Sequence, residues 1–265
     1  MSEIAVIKCG GSIIDNLSAR FFENIQQLQQ NGIKPIVVHG GGPAIKNMLE
    51  KLDVPFAFID GLRTTSAAAM DVVEMVLSGH VNNAITRKMS AAGIRGAGFS
   101  GSDANLLTCV PKDFQTYGYV GDIVDVNAAF LESLLEQHIV PVVAPIAVGK
   151  DGDRYNVNAD TAAGNIAKAM NADKLIFVTD VPGIMQDGGL VPSATEVQIE
   201  ELIDKGIIHG GMVPKVKAAL ACLNDDLQDV MIADANQAIS AAGFTGTMIN
   251  QSEEAVSHDS NFSNL

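Results

Sequence analysis

The sequence has few of the features that mark several common classes of protein. Its three cysteines, Cys9, Cys109 and Cys222, are widely spaced and form no CxxC pair, which is most simply explained by a reducing compartment. Cys9 is interpreted as a buried, small apolar residue. No apolar run reaches the roughly 18 residues of a membrane-spanning helix, and no export signal precedes the first predicted strand. We therefore expect a soluble, cytoplasmic protein.

Several catalytic and binding motifs are also missing. The histidines are scattered without an HExxH pattern, so a metal cluster has no support. There is no GxSxG elbow, and Ser100 in "FSGSDANLL" has no evident base to activate it, so this segment is interpreted as a loop. No GxGxxG follows the first strand, which disfavours a dinucleotide-binding fold. Lysine and arginine number 17 against 31 acidic residues and do not cluster, which disfavours a nucleic-acid partner. With a net charge of −14, an anionic ligand would need a locally positive pocket.

The chain does contain a regular alternation of strand-like and helix-like segments. It has 265 residues, of which 47% are apolar, enough for one large α/β domain or two closely joined lobes. Strands are predicted at 4–7, 34–38, 141–148, 174–179, 230–233 and 247–249, helices at 17–30, 44–52, 70–93, 161–170 and 213–227, and a hairpin turn at 149–153. This order predicts an α/β fold with a mainly parallel central sheet covered by helices on both faces. Ligands of such sheets lie beyond the carboxyl ends of the strands.

Two glycine-rich segments follow predicted strands. "VVHGGGPAI" (37–45) places three glycines after a strand and Pro43 at the start of a helix. The free N–H groups of that helix would suit a carboxylate or phosphate, although a tight strand–helix turn is the alternative. "KCGGS" (8–12) repeats the pattern. Lys8 is either a solvated strand end or a contact of a bound anion, and the residues alone leave both open.

Two polar segments lie before predicted helices. Arg63 in "DGLRTT" offers a planar fork suited to a carboxylate, although a lone loop arginine more often forms a surface ion pair. "YNVNAD" supplies Asn156, Asn158 and Asp160, which is more than one helix cap requires. The surplus can position a substrate or a lysine.

Two more segments lie in the last third of the chain. "FVTDVPGIM" places Asp180 between a strand and a Pro-Gly turn. "HGGMVPKVK" sets a glycine pair before a helix that carries Lys215 and Lys217. This is an environment suited to phosphate, in which the residues alone do not separate the two lysines.

In this order, the six segments resemble the amino acid kinase family. One such motif would be weak, but Lys-x-Gly-Gly-Ser, "VVHGGGP", "DGLRTT", "YNVNAD", "TDVPGI" and "GGMVPK" together extend over about residues 4–250. "DGLR" and "NVNAD" resemble the branch that acts on N-acetyl-L-glutamate rather than those that act on aspartate, carbamate, uridylate or glutamate. The resemblance implies an αβα sandwich with an open, mainly parallel sheet of eight strands. It also implies an N-terminal lobe (1–172) for the acceptor and dimerisation and a C-terminal lobe (173–250) for ATP. Residues 251–265, polar and aperiodic, are interpreted as a flexible tail.

The resemblance also implies an activity and a set of site residues. The reaction would transfer a phosphoryl group from ATP to the γ-carboxylate of N-acetyl-L-glutamate in the second step of arginine biosynthesis, with Mg²⁺ bound through the ATP phosphates. Lys8 and Lys215 would flank the transferred group, Asp160 would hold both lysines, and Gly11 would supply an N–H group. Lys215 is selected over Lys217 because it falls four residues after the glycine pair. The acetylglutamate would be held by Gly41, Gly42, Arg63 and Asn156, and the nucleotide by Asp180, Val181, Pro182, Gly183, Ile184, Met185, His209, Gly210 and Gly211.

Two other hypotheses remain at this stage. One is a sister kinase with another carboxylate acceptor, such as a carrier-bound aminoadipate. The other is a non-catalytic sensor with the same fold, which has no need of Lys8, Asp160 and Lys215 together. Arginine-inhibited members of the family carry an additional N-terminal helix, whereas only three residues precede Ile4 here. We therefore expect an arginine-insensitive homodimer.

Overall fold

The structure is a computed structural model, and it describes residues 3–11, 13–14, 17–223, 227–235 and 244–250. The strands are β1 (Ile4–Cys9), β2 (Lys34–His39), β3 (Phe58–Ile59), β4 (Leu62–Arg63), β5 (Gly96–Ser100), β6 (Leu107–Pro111), β7 (Gly121–Val126), β8 (Val140–Ala144), β9 (Ile146–Gly149), β10 (Arg154–Asn156), β11 (Lys174–Thr179), β12 (Met185–Gln186), β13 (Gly189–Leu190), β14 (Ser193–Thr195), β15 (Asp229–Asp234) and β16 (Gly246–Asn250). The α-helices are α1 (Ala19–Gln30), α2 (Gly42–Lys51), α3 (Ala67–Glu74), α4 (Asn82–Ala91), α5 (Phe114–Tyr117), α6 (Ala128–Glu136), α7 (Ala159–Ala169), α8 (Glu196–Asp204) and α9 (Met212–Cys222). A π-helical segment (Met75–Val81) joins α3 to α4, and a short 3₁₀ turn covers Asp103–Asn105.

The described strands form one large central sheet and smaller ones. Eight of them lie in the order β14-β16-β15-β11-β1-β2-β8-β5. Neighbours are parallel except β15 and β16, so the prediction of a mainly parallel sheet is confirmed. A second sheet, β10-β9-β6-β7, and two short hairpins lie outside it.

Helices cover both faces of the central sheet. In β1, Val6 belongs to one apolar cluster, with residues of α6, α7, α8 and α9, whereas Ile7 and Cys9 belong to another, with α1, α2, α3 and α4. Successive residues of a strand point to opposite faces, so an uninterrupted apolar strand has both faces buried. This is the predicted αβα arrangement. Among the described residues, no helix is long and apolar enough to cross a membrane.

Some predicted boundaries were wrong. The single strand predicted at 141–148 is two strands, β8 and β9, which belong to different sheets and are separated at Pro145. Proline lacks the N–H group that a ladder needs, and it marks where the chain leaves the first sheet. Ser100, predicted to lie in a loop, is the last residue of β5. The helix predicted at 213–227 ends at Cys222.

Other predictions were confirmed. The strand at 174–179 has the predicted bounds, and the turn at 149–153 joins the antiparallel strands β9 and β10. The long helical stretch from residue 70 corresponds to α3, the π-helical segment and α4 in succession. The predicted tail at 251–265 and Ser12 of the "KCGGS" segment lie outside the described residues.

Candidate active site

Lys8 lies at the centre of the sheet, one residue before the end of β1. Its backbone is paired with Val38 of β2 on one side and Phe177 of β11 on the other. The parallel strands β1, β2 and β11 therefore end together, and the segments that follow them meet at one edge of the sheet. This is the position at which open α/β sheets bind ligands.

The two glycine-rich segments touch each other at this edge. A Cβ atom added to Gly11 would lie 2.7 Å from the backbone nitrogen of Gly42 and 2.8 Å from that of Gly41. A side chain at position 11 would therefore displace backbone, and glycine is the residue that allows this approach. Helix α2 begins at Gly42, with Pro43 in its first turn. Its unpaired N–H groups are a site for an anion.

Lys8 is held by Asp160 from the first turn of α7. The Lys8 Nζ lies 2.6 Å from the Asp160 Oδ1, and both side chains are mostly shielded from solvent. Asn158 caps the same helix through its Oδ1, which accepts from the backbone N–H groups of Asp160 and Thr161. Because the cap is already made by Asn158, the Asp160 carboxylate is free to pair with the lysine. The predicted surplus of polar groups in "YNVNAD" is thus explained.

Lys215 has different partners. Its Nζ lies 3.1 Å from the Asp180 Oδ1 and is hydrogen-bonded to the Thr179 hydroxyl. The hydrogen bond from Lys215 is the main reason that the pKa of Asp180 lies below its ordinary value, with the Thr179 hydroxyl contributing next. Among the described residues, the ion pairs thus join Lys8 to Asp160 and Lys215 to Asp180, and a bond from Asp160 to both lysines stays a prediction.

Two cavities meet at Lys8 and Asp160. The first, of about 290 Å³, is lined by the residues predicted for the acceptor: Gly11, Gly41, Gly42, Arg63 and Asn156, together with Lys8 and Asp160. The second, of about 250 Å³, is lined by Lys8, Asp160 and Lys215, with Gly10, Thr179 and Gly211 among its other members. Lys217 instead lines a third, larger cavity beside α7 and α9, which shares Asp160 with the other two but includes neither Lys8 nor Lys215. The structure therefore distinguishes Lys215 from Lys217, which the residues of the sequence alone did not.

Arg63 points into the first cavity and is only 8% exposed. Its guanidinium carbon lies 4.7 Å from the ring centroids of both Phe56 and Phe58, and its Nη2 donates to the Gly42 carbonyl at 3.1 Å. The buried Nη1 has no partner among the described residues. Burial lowers the pKa of Arg63, and such a desolvated cation gains from an anionic partner. The alternative of a surface ion pair is therefore disfavoured.

The predicted nucleotide residues lie on two segments, 180–185 after β11 and 209–211 before α9. Gly211 lines that cavity, and Asp180 bonds Lys215. Val181, Pro182, Gly183, Ile184 and Met185 follow β11, and His209 and Gly210 precede α9. The Ile184 N–H donates to Thr247 of β16. The structure thus brings one end of each segment, Asp180 and Gly211, to the second cavity or to its lysine. Nucleotide contact by the remaining residues stays a prediction.

Sequence reasoning did not single out several residues of this site. Thr179 bonds Lys215 and Asp180, and the only local signal for it was its place before Asp180 at a strand end. Phe56 and Phe58 lie against Arg63, but nothing in their spacing indicates a cation partner. Gly10 lines the second cavity and belongs to the glycine pair that was noticed.

Metal and thiol chemistry gain no support at this site. No group of three or more histidine, cysteine, aspartate or glutamate side chains suited to a metal ion occurs within the described part of the chain. Cys9 is fully buried, and burial raises the pKa of its thiol to about 12. This confirms its interpretation as a packed apolar residue.

Comparisons with known proteins identify related chains. The sequence profile described as the amino acid kinase family matches residues 3–234. A relative from Geobacillus sp. (strain WCH70), named acetylglutamate kinase, is 48% identical over 232 residues, which cover 88% of this chain and 90% of the relative. Another of that name, from Bacillus pumilus, is 46% identical over 257 residues, covering 97% of this chain and all of the relative.

One solved structure extends the comparison to three dimensions. A crystal structure of a protein from Streptococcus mutans UA159 superposes with a TM-score of 0.83 at 34% identity, covering 95% of this chain and 100% of the other.

Proposed function

Since the chain belongs to the amino acid kinase family, we propose that it transfers the γ-phosphoryl group of ATP to the γ-carboxylate of N-acetyl-L-glutamate. This is the activity after which its relatives, 42–49% identical, are named, and it serves arginine biosynthesis. The single observation that carries the proposal is the meeting of two cavities at Lys8 and Asp160. One cavity suits an acidic acceptor and the other a polyphosphate.

The acceptor cavity supplies groups that fit a dicarboxylate. The unpartnered Nη1 of Arg63 would bind one carboxylate. The N–H groups of Gly11, Gly41 and Gly42, which lie close together, would bind the second carboxylate, the one that reacts with the phosphoryl group. Asn156, whose Nδ2 donates to the Thr65 hydroxyl at 3.3 Å, would hold the remaining polar atoms of the acceptor.

The chemistry needs positioning and positive charge rather than a base. A γ-carboxylate oxygen forms a bond to the γ-phosphorus while the bond from that phosphorus to the β–γ bridging oxygen breaks, and ADP leaves. The acceptor is already ionised above about pH 5, so no proton is removed. Lys8 and Lys215 would compensate the charge on the equatorial oxygens, and Asp160 and Asp180 would orient the two lysines. Mg²⁺ would enter as part of the substrate, bound to the ATP phosphates.

We also propose the division of the molecule and its assembly. Residues 1–172 would form the acceptor lobe, and 173–250 the nucleotide lobe. This is supported by the position of Lys215, Thr179 and Gly211 after residue 173 and of the acceptor cavity before it. A cytoplasmic homodimer is proposed as well, with the helical stretch α3–π–α4 in its interface, where Met75 is exposed.

The reaction is tested by trapping the acyl phosphate. Purified protein with MgATP, N-acetyl-L-glutamate and hydroxylamine should yield a hydroxamate together with stoichiometric ADP. The same assay with N-acetyl-L-aspartate, one methylene shorter, and with a carrier-bound aminoadipate compares acceptors. If hydroxamate formed only with aminoadipate, the acceptor would be aminoadipate rather than N-acetyl-L-glutamate. If none of the three acceptors gave hydroxamate, the proposal of phosphoryl transfer would be overturned.

A further inference from the structure

A buried histidine and asparagine lie directly behind the triple-glycine loop. His39, the last residue of β2, is 0% exposed, and Asn82, the first residue of α4, is 2% exposed. The His39 Nδ1 lies 2.8 Å from the Gly40 carbonyl oxygen, and the Nε2 lies 3.1 Å from the Asn82 Nδ2. Neither side chain is among those that line the acceptor cavity, whereas Gly40, Gly41 and Gly42 are.

The hydrogen bonds fix the protonation state of the pair. A carbonyl oxygen only accepts, so the Nδ1 of His39 carries the proton and its Nε2 is an acceptor. The two amide hydrogens of Asn82 then go to that Nε2 and to the Val142 carbonyl oxygen at 2.9 Å. Burial lowers the pKa of His39 to about 4, in agreement with a neutral ring. The two ring nitrogens of His39 and the Nδ2 of Asn82 therefore each have a role that their chemistry allows.

The glycine loop is enclosed from the opposite side as well. A Cβ atom on Gly41 would lie 2.5 Å from the Leu77 Cδ2 of the π-helical segment, a clash, and 3.5 Å from the Val81 Cγ2, an ordinary contact. Gly11 faces the backbone nitrogens of Gly41 and Gly42. A seven-residue π-helical segment is unusual, and such segments occur frequently at functional sites. Here it brings Leu77 and Asn82 to the same loop.

The orientation of Asn82 is also fixed by its surroundings. A Cβ atom on Gly98 of β5 would collide with the Asn82 Oδ1. The side chain therefore fills the space that a glycine leaves, and it links α4 to β2 and β8. A swap of its amide would place an oxygen against the Val142 carbonyl and against His39 Nε2, two acceptors.

We propose that His39 and Asn82 are a positioning pair, which sets the direction of the Gly41 N–H group by holding the Gly40 carbonyl of the same planar peptide unit. This deepens the proposed phosphoryl transfer and rests on it. The pair touches no substrate, so it acts through the loop alone. A misplacement of about 1 Å in a group that stabilises the transition state costs on the order of 10²-fold in rate.

Two substitutions of His39 separate the two hydrogen bonds. In His39→Asn, the side-chain N–H₂ can occupy the place of Nδ1 and still donate to Gly40, but nothing reaches Asn82. In His39→Gln, the longer amide reaches Asn82 but leaves Gly40 without its donor. We expect His39→Asn to keep kcat/KM within about tenfold of the parent and His39→Gln to lose about 10²-fold.

Asn82→Ala is the second arm, with Asn83→Ala as its matched control. Asn83 is the next residue and makes a helix-surface bond to the Gly79 carbonyl at 2.8 Å, so its loss should leave kcat and both KM values unchanged. Asn82→Ala leaves the His39 bond to Gly40 but removes the second partner of the ring, so it should lower kcat and raise the KM for N-acetyl-L-glutamate by less than His39→Gln does, with a smaller change in the KM for ATP. Thermal unfolding, followed on each variant, reports the folded fraction.

A spectroscopic measurement tests the pair without a substitution. Long-range ¹⁵N–¹H correlation spectra of the histidines should show His39 as the neutral Nδ1–H tautomer from pH 5 to 8, whereas free histidines in water favour Nε2–H. An Nε2–H tautomer, or His39→Gln and Asn82→Ala with parental kcat and KM per folded molecule, would overturn the positioning role. An inactive parent protein would instead overturn the proposed function, so the two failures are distinguishable.

Discussion

Lys215 and Lys217 are two residues apart on α9 but face different cavities. Lys215 lines the cavity that also includes Lys8 and Asp160, whereas Lys217 lines the third cavity, which includes Asp160 but not Lys8. We expect Lys215→Ala to lower kcat about 10²–10³-fold, because it removes one fixed charge from the transition state. Lys217→Ala removes the same charge from the same helix and should keep the parental kcat. Steady-state assays at saturating substrates measure both, and equal losses would contradict the assignment.

The rings of Phe56 and Phe58, which lie over Arg63, should affect the affinity for the acceptor. Phe58 is 57% exposed, yet its ring lies over the guanidinium, a contact worth about 1 kcal/mol. Phe58→Leu should therefore raise the KM for N-acetyl-L-glutamate about fivefold while kcat changes little. Phe114, 51% exposed and packed on Tyr119, gives the control Phe114→Leu. A change of the same size in the KM for ATP would argue against a role confined to Arg63.

At the scale of elements, the site depends on the contact between two turns. Gly11→Ala would force its Cβ against the backbone nitrogens of Gly41 and Gly42, and backbone atoms in two turns cannot move aside cheaply. We expect kcat/KM to fall about 10²-fold. Gly189→Ala is the control, since its Cβ would meet only the Gln186 carbonyl oxygen at 3.6 Å, an ordinary contact. Parental kinetics in Gly11→Ala would show that activity does not depend on the close contact between the two glycine turns.

The elements differ in how far the sequence determines them. Long apolar runs such as β11 were predicted with their bounds, since both faces are buried and the pattern is uninterrupted. The strands of the second sheet were missed in part because β7 is half exposed, and its sequence therefore has no uninterrupted apolar run. The glycine turns and Asp160 were found because their residue types are unusual at strand and helix ends. The partners of Arg63 and His39 were not, because Phe56, Phe58 and Asn82 reach them through the fold.

At the scale of the whole molecule, the proposed homodimer can be tested on its helical surface. Met75 is 58% exposed at the start of the π-helical segment, so a charge introduced there would disturb an interface on this surface without entering the core. Light scattering should give about twice the chain mass of 27.8 kDa. Met75→Lys should shift this toward one chain mass at micromolar concentration. Val197→Lys, at an even more exposed apolar position on α8, should not, and a parental mass for Met75→Lys would place the interface elsewhere.

The central position of β1 has a consequence for how the protein is made. One of its neighbours, β11, is synthesised much later, as the bond from Ile4 to Asp173 across 169 residues shows. At about 5–20 residues per second, a ribosome needs roughly 10–30 s to add that length. During this delay, one edge of an apolar strand has no native neighbour and is open to aggregation. Protection of that edge, such as by a chaperone, would lower this hazard until β11 has been made.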